Sequence, residues 1–199
     1  MSGDPMRGRG GPDVGLLPTP SQTAGPFLHL GLLWDDGPLV VDEDAPGAIW
    51  VGGRIVDGAG DPVADALVET WQADAGGRFA SPEDPRGAVS DFRGWARCET
   101  DTDGRWRIRT VKPGPVPGPD GSMQAPHIAV TIYARGLLRQ LLTRIYFADE
   151  ADANTADPVL TSLSSERARR TLLATPTGGG AYEIDLRLQG DDATVFFEA

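Results

Sequence analysis

The sequence predicts an all-β protein, and more narrowly an antiparallel β-sandwich. Short runs rich in β-branched and aromatic side chains recur from Ile49 towards the C-terminus. Clusters of Gly, Asp and Pro separate these runs, as turns separate strands. Helix formers with acidic caps gather in a single stretch, residues 149–174, which predicts one or two short helices in an insertion. Short strands, frequent turn signals and little helix favour the sandwich.

The first predicted strands surround two turns. The runs IWVGGRIV and ALVETWQA flank the turn cluster DGAGDPVAD. An Asp-Gly turn in TDTDGRWRIRTVKPG then opens an alternating strand. The period of two places Trp106, Ile108 and Thr110 on one face, which we expect to be buried.

The remaining strands are predicted in HIAVTIYA, LLRQLLTRIYF, AYEIDLRLQG and ATVFFEA. The leucines of the second run also fit helical spacing. Ile145, Tyr146 and Phe147 favour a strand at its end, because aromatic and β-branched residues suit a pleated surface.

The N-terminal region is predicted to lie outside the sandwich. Residues 1–15 are expected to form a disordered tail, and residues 16–199 a single domain. The segment LLPTPSQTAGPFLHLGL predicts an extended arm rather than a helix, because its prolines remove backbone donors. Such arms often reach onto another surface.

Composition excludes several classes of partner. The chain of 199 residues has a formal net charge of −11, which opposes binding to nucleic acid and to anionic lipid. No apolar run is long enough to span a membrane. The start carries no signal peptide and Cys98 is the only cysteine, so a cytoplasmic location is expected.

The residue inventory offers little catalytic chemistry of its own. The chain contains two histidines, His29 and His127, which together with Cys98 are a poor supply of metal ligands. We predict a structural role for both histidines. A metal site built from either one with carboxylates is a remote alternative. No nucleophile elbow, P-loop or dinucleotide-binding pattern is present.

Two short segments have a simple structural interpretation, and the first of them also has a functional one. Arg135 and Gly136 either form a solvent-facing turn or place an arginine at the mouth of the sandwich, where it would hold an anion. Thr23, Gly25 and Pro26 form a rigid turn on the simplest reading.

Six segments, in order along the chain, resemble the intradiol ring-cleaving dioxygenases. They are TPSQTAGPFLHLGL, VETWQADAGGRF, TVKPGPVP, APHIAVTIYARG, LTRIYF and GDDATVFF. They are most similar to the α chains of members built from paired α and β chains. The resemblance implies a transthyretin-like (prealbumin-like) β-sandwich core.

In the iron-carrying β chains of that family, two tyrosines and two histidines bind the metal. The matching positions here are Phe79, Val116, His127 and Ala129, so three of the four ligands are replaced. The resemblance therefore implies no metal in this chain and Fe(III) in a partner β subunit. Phenolate oxygens suit that hard cation, and one neutral histidine would not hold it.

The resemblance also implies a share in the substrate pocket. Thr23, Gly25, Pro26 and Arg135 match the α-chain pocket positions, and Phe27 stands where many α chains have tyrosine. The expected substrate is 3,4-dihydroxybenzoate (protocatechuate), cleaved with O₂ between its hydroxylated carbons to 3-carboxy-cis,cis-muconate. In that role this chain would position and enclose the substrate.

A second function class stays open at this point. The stretch from Gly53 to Gly114 also resembles transthyretin-like sandwich modules attached to larger proteins. Such a module would bind or assemble without catalysis. It would leave the arm and the segment APHIAVTIYARG without an explanation.

Overall fold

A computed structural model describes residues 19–25, 28–42, 44–87 and 92–198. The predicted tail, residues 1–15, lies outside this range. Within the described residues the regular secondary structure is mostly strand, with few and short helices. The all-β prediction is therefore confirmed. No described helix is both long enough and apolar enough to cross a bilayer.

The elements are named in chain order. The strands are β1 Ala48–Val56, β2 Leu67–Trp71, β3 Trp95–Glu99, β4 Arg105–Val111, β5 Val116–Pro117, β6 Met123–Gln124, β7 His127–Tyr133, β8 Leu141–Phe147, β9 Leu173–Gly178, β10 Ala181–Glu183 and β11 Leu186–Arg187. The helices are α1 Leu28–Leu32, α2 Ala151–Ala156, α3 Pro158–Ser162 and α4 Glu166–Arg170.

Nine of the described strands form one mixed sheet in the order β11-β1-β10-β9-β8-β7-β2-β3, with β4 paired to β1. Strands β5 and β6 pair separately. The expectation of purely antiparallel strands is wrong, because β1 pairs in parallel with β10 and β11, and β8 with β9. Parallel neighbours need a long crossover connection. Helices α2 to α4 supply it between β8 and β9.

The core follows the alternation of the strands. Trp106, Ile108 and Thr110 are all buried, as the period of two in β4 predicts. Strand β7 buries Ile128, Val130 and Ile132 in the same way and turns its odd-numbered residues outward. Each fully buried isoleucine stabilises the fold by about 1.5–3 kcal/mol relative to an exposed one.

A second, smaller core lies beneath the helical insertion. It consists of Ala125, Tyr146, Leu160 and Leu172. Asp157 is fully buried here, and its carboxylate caps α3 by accepting from the backbone N–H groups of Val159 and Leu160. The predicted helical insertion is thus confirmed, and a buried charge fixes it to the sheet.

Three local expectations differ from the structure. Residues 28–32, predicted to be part of an extended arm, form the short helix α1. In ATVFFEA only Phe197 makes a strand-like bridge, to Leu142, so a full final strand is wrong. Strand β3 was not predicted, since alternating charged residues mask its two apolar positions.

Candidate functional site

The N-terminal arm touches the turn between β7 and β8. The hydroxyl oxygen of Thr23 accepts a hydrogen bond from the backbone N–H of Gly136 at 2.7 Å, across 113 positions of sequence. Gly136 has a φ of +88°, a conformation that side chains disfavour, so glycine suits this turn. Two segments that the sequence singled out, the arm and the Arg135–Gly136 pair, are thus in contact.

Arg135 is an exposed cation held by one carboxylate. Its Nε forms a hydrogen-bonded ion pair with Asp65, in the loop before β2. The arginine side chain is 66% exposed and that of Asp65 is 21% exposed. Solvent screens such a pair, so it contributes about 0–1 kcal/mol. Among the described residues only Nε of this guanidinium has a partner, which leaves its outer N–H groups able to hold a second anion.

The other arm positions are only partly described. The carbonyl of Gly25 accepts from the backbone N–H of Leu28 at 3.1 Å, where α1 begins. Pro26 and Phe27 lie outside the described residues. The structure therefore brings Thr23 and Arg135 to one place, and the roles predicted for all four pocket residues stay predictions.

The four positions that the resemblance aligns with iron ligands form one connected patch. Phe79 stacks on Trp71 with ring centroids 6.0 Å apart. Trp71 in β2 is the register partner of Ala129 in β7, and Ala129 is the partner of Arg144 in β8.

Arg144 links this patch to the remaining positions. Its Nη1 donates to the Oε1 of Gln124 at 2.8 Å, and Gln124 is the register partner of the buried Val116. The same Nη1 donates to the hydroxyl of Tyr146 at 3.3 Å, beside His127. A guanidinium therefore lies among the four positions that the resemblance aligns with iron ligands.

This patch does not fit ferric iron. Phe79, Val116 and Ala129 offer no donor atom. His127 has its Nδ1 2.8 Å from the carbonyl oxygen of Ala125, and burial lowers its pKa, which keeps the ring neutral. Among the described residues no group of three or more His, Cys, Asp or Glu side chains could hold a metal ion. No step of a reaction is therefore derived through a metal in this chain.

Sequence reasoning missed two residues of these sites, Asp65 and Arg144. Asp65 pairs with an arginine 70 positions away, and no local sequence pattern predicts that contact. Arg144 alternates with the buried Thr143 and Ile145, so its outward direction was readable from period two. That Arg144 belongs to the site is visible only in the folded chain, where β7 places Ala129 beside it.

Comparison with known proteins defines the class. A family model described as Dioxygenase matches residues 25–190. The chain belongs to the intradiol ring-cleaving dioxygenase family. This match extends well beyond the stretch from Gly53 to Gly114 on which the module alternative rested, and it includes APHIAVTIYARG.

Individual relatives include both an α chain and a β chain of one kind of dioxygenase. The chain is 40% identical over 204 residues to "Protocatechuate 3,4-dioxygenase alpha chain" from Pseudomonas putida, covering 93% of this chain and 98% of that one. It is 36% identical over 157 residues to "Protocatechuate 3,4-dioxygenase beta chain" from Burkholderia cepacia, covering 73% and 66%.

A solved structure agrees on the fold. The dioxygenase domain of a dioxygenase carbohydrate-binding protein fusion from Streptomyces sp. SirexAA-E superimposes with a TM-score of 0.58 at 28% identity. The match covers 86% of this chain and 98% of that domain. The β-rich architecture described above is thus that of a dioxygenase domain.

Proposed function

We propose that this chain is the α subunit of a heteromeric protocatechuate 3,4-dioxygenase. It would line the substrate pocket while a homologous β subunit binds Fe(III). The observation that carries the proposal is the contact of Thr23 with the Arg135–Gly136 turn, which joins the two pocket segments. The 40% identity to an α chain, which extends over nearly the full length of both chains, supports the same assignment. The replaced ligand positions support it too.

Arg135 would bind the carboxylate of 3,4-dihydroxybenzoate. A guanidinium offers two parallel N–H groups to a carboxylate, and such charge-assisted bonds are stronger than neutral ones. In a chain with a net charge of −11, an arginine at the pocket also favours entry of an anion.

Thr23 would act on the pocket through the backbone. By accepting from the Gly136 N–H, it fixes the arm against the turn that carries Arg135. Gly25 and Pro26, the other two arm residues that the resemblance assigns to the pocket, would contribute to the same substrate site. Bringing a bound substrate into one orientation can supply a large part of a rate enhancement.

Fe(III) held by the partner subunit would supply the activation of the catechol ring towards O₂. The contribution of this chain is to hold the carboxylate end of the ring and to limit the access of water. The product would be 3-carboxy-cis,cis-muconate. A cytoplasmic location stays a prediction. The free, buried thiol of Cys98 is consistent with it.

The first experiment measures iron content and protocatechuate-dependent oxygen uptake of this chain alone and co-expressed with a candidate β chain. We expect both only in the mixed complex. Iron bound by this chain alone would contradict the ligand argument. Failure to form any complex would favour the binding module that the sequence left open.

The second experiment replaces Arg135 in the assembled complex. Arg135→Ala should raise KM for protocatechuate about 10- to 100-fold while iron content is retained, because a hydrogen bond to a charged group contributes about 1.5–3 kcal/mol. Arg139→Ala, an exposed arginine of the same turn region, is the matched control. If KM for protocatechuate in the Arg135 variant equals that of the unmodified complex, Arg135 is not part of the site.

A further inference from the structure

The patch around Ala129 contains a pocket that the proposed function does not use. It has a volume of about 330 Å³ and lies over the outward face of β7 and β8. Ligand pockets typically occupy about 300–1,000 Å³, so this one suits a small, single-ring molecule. Its lining residues are Ala129, Val130, Thr131, Leu142, Thr143, Arg144, Val159 and Phe197.

The pocket holds one cation without a matching carboxylate. Arg144 donates to an amide oxygen of Gln124 and to the hydroxyl of Tyr146, both neutral groups. Burial raises the pKa of Tyr146 to about 12, so its hydroxyl stays protonated at neutral pH. No ion pair joins Arg144 to an acidic side chain in the described part of the chain.

The buried carboxylate of Asp157 is linked to Arg144 only through Tyr146. One oxygen of the Asp157 carboxylate accepts from the N–H groups of Val159 and Leu160 and from the Tyr146 hydroxyl. Its other oxygen accepts from the N–H of Ala125 at 2.8 Å. Asp157 thus orients Tyr146, and Tyr146 in turn orients Arg144, without an ion pair between the two charges.

The rest of the pocket is largely apolar. The floor is made of paired strands whose outward side chains, Ala129 and Thr131, are small. Leu142, Val159 and Phe197 provide apolar walls. A half-buried guanidinium at the edge of such a surface matches a planar ring that carries one carboxylate, because the ring replaces water on the apolar walls and the carboxylate neutralises the charge.

We propose that this pocket binds a single-ring aromatic monocarboxylate, with the carboxylate on Arg144 and the ring over Ala129. All the residues that line the pocket come from this chain, and the proposal does not depend on the proposed function. The patch that matches a metal site in the family would thus retain an organic anion in place of a metal.

The test uses the assembled complex and 4-fluorobenzoate as the probe, with binding followed by ¹⁹F NMR and calorimetry. Arg144→Gln removes the charge and keeps a hydrogen-bonding side chain. Ala129→Phe fills the pocket and leaves the Arg144 charge in place. Arg139→Gln is the matched control, since it removes an exposed arginine of the same chain.

We expect both pocket variants to weaken one class of 4-fluorobenzoate sites about 10- to 100-fold, one site per copy of this chain. The control should retain all sites. Unchanged stoichiometry and affinity in both variants would overturn the proposal. Loss in Arg144→Gln alone would also overturn it, because the ligand would then lie outside the pocket.

The outcome can be separated from the proposed function. Arg135→Ala should affect only the other class of probe sites, and oxygen uptake with protocatechuate reports on that class independently. Gel filtration and iron content of each variant verify assembly. If Arg144→Gln fails to assemble, Ala129→Phe alone decides, with loss of one probe site supporting the proposal and full retention overturning it.

Discussion

Neutralising Asp65 should tighten the binding of a carboxylated substrate. Asp65 pairs with Arg135, the residue proposed to hold the substrate carboxylate. In the assembled complex the two carboxylates would share the charge of one guanidinium, so the negative charge of Asp65 would weaken the binding of the substrate carboxylate. Asp65→Asn keeps the shape of the side chain and removes the competing charge, so Arg135 becomes fully available to the substrate.

The expected magnitude follows from exposure. Because the Arg135 side chain is 66% exposed, the pair is screened by solvent and contributes at most about 1 kcal/mol. Release of that energy corresponds to a fall in KM of up to about fivefold, with kcat unchanged. The effect should shrink as ionic strength rises, because the Debye length shortens from about 10 Å at 0.1 M salt to about 3 Å at 1 M.

Oxygen uptake by the assembled complex measures this effect. KM for protocatechuate is compared with KM for 4-methylcatechol, which lacks a carboxylate and should show no change. Asp61→Asn, an exposed aspartate of the same loop, serves as the control. A rise in KM for protocatechuate in Asp65→Asn would refute the reasoning, since Asp65 would then position Arg135 rather than compete for it.

Three further predictions concern stability. Gly53→Ala would place a Cβ 1.8 Å from the carbonyl oxygen of Ile184, so we expect a loss of about 1–3 kcal/mol in thermal unfolding, and an unchanged Tm would contradict the packing. Asp157→Ala removes the cap of α3 and leaves the N–H of Ala125 unpaired, which should cost about 1–3 kcal/mol in urea unfolding; a neutral effect would show that water replaces the carboxylate. Hydrogen bonds from Arg86 lower the pKa of Asp84 below its ordinary 3.8, so its contribution to stability is present above about pH 4 and is lost as pH falls towards the lower value. Asp84→Asn should flatten this acid limb of the stability curve, and an unaltered limb would exclude Asp84 as its source.

The local alternation of apolar residues was sufficient to predict much of the sheet. The alternation in β4 and β7 is visible in the sequence because one face of each strand is buried and the other is not. The helical insertion was also readable, since Ser165 and Asp157 are typical N-caps and each caps a helix.

The features that could not be predicted from the sequence depend on contacts between residues that are distant along the chain. The parallel pairing of β1 with β10 and β11 follows from where the C-terminal segments return, which no local period encodes. Helix α1 forms in the predicted arm over Leu28–Leu32, just past the last proline, where the backbone donors are again available. Arg144 gains its significance only from Ala129 and Gln124, which lie on other strands.

The replaced ligands and the Arg144 pocket belong to one physical argument. A site for a trivalent cation needs donor atoms that lose their protons to the metal, as a tyrosine hydroxyl does when it becomes a phenolate. Phe79, Val116 and Ala129 offer no such donor atom, and Phe79 instead makes a stacked contact with Trp71. The patch then presents a single guanidinium held by neutral partners, so its electrostatic preference is reversed from cations to anions. On this reasoning, restoring tyrosine at Phe79 and Val116 and histidine at Ala129 would not be sufficient for tight iron binding while Arg144 remains, because its charge lies beside the metal position.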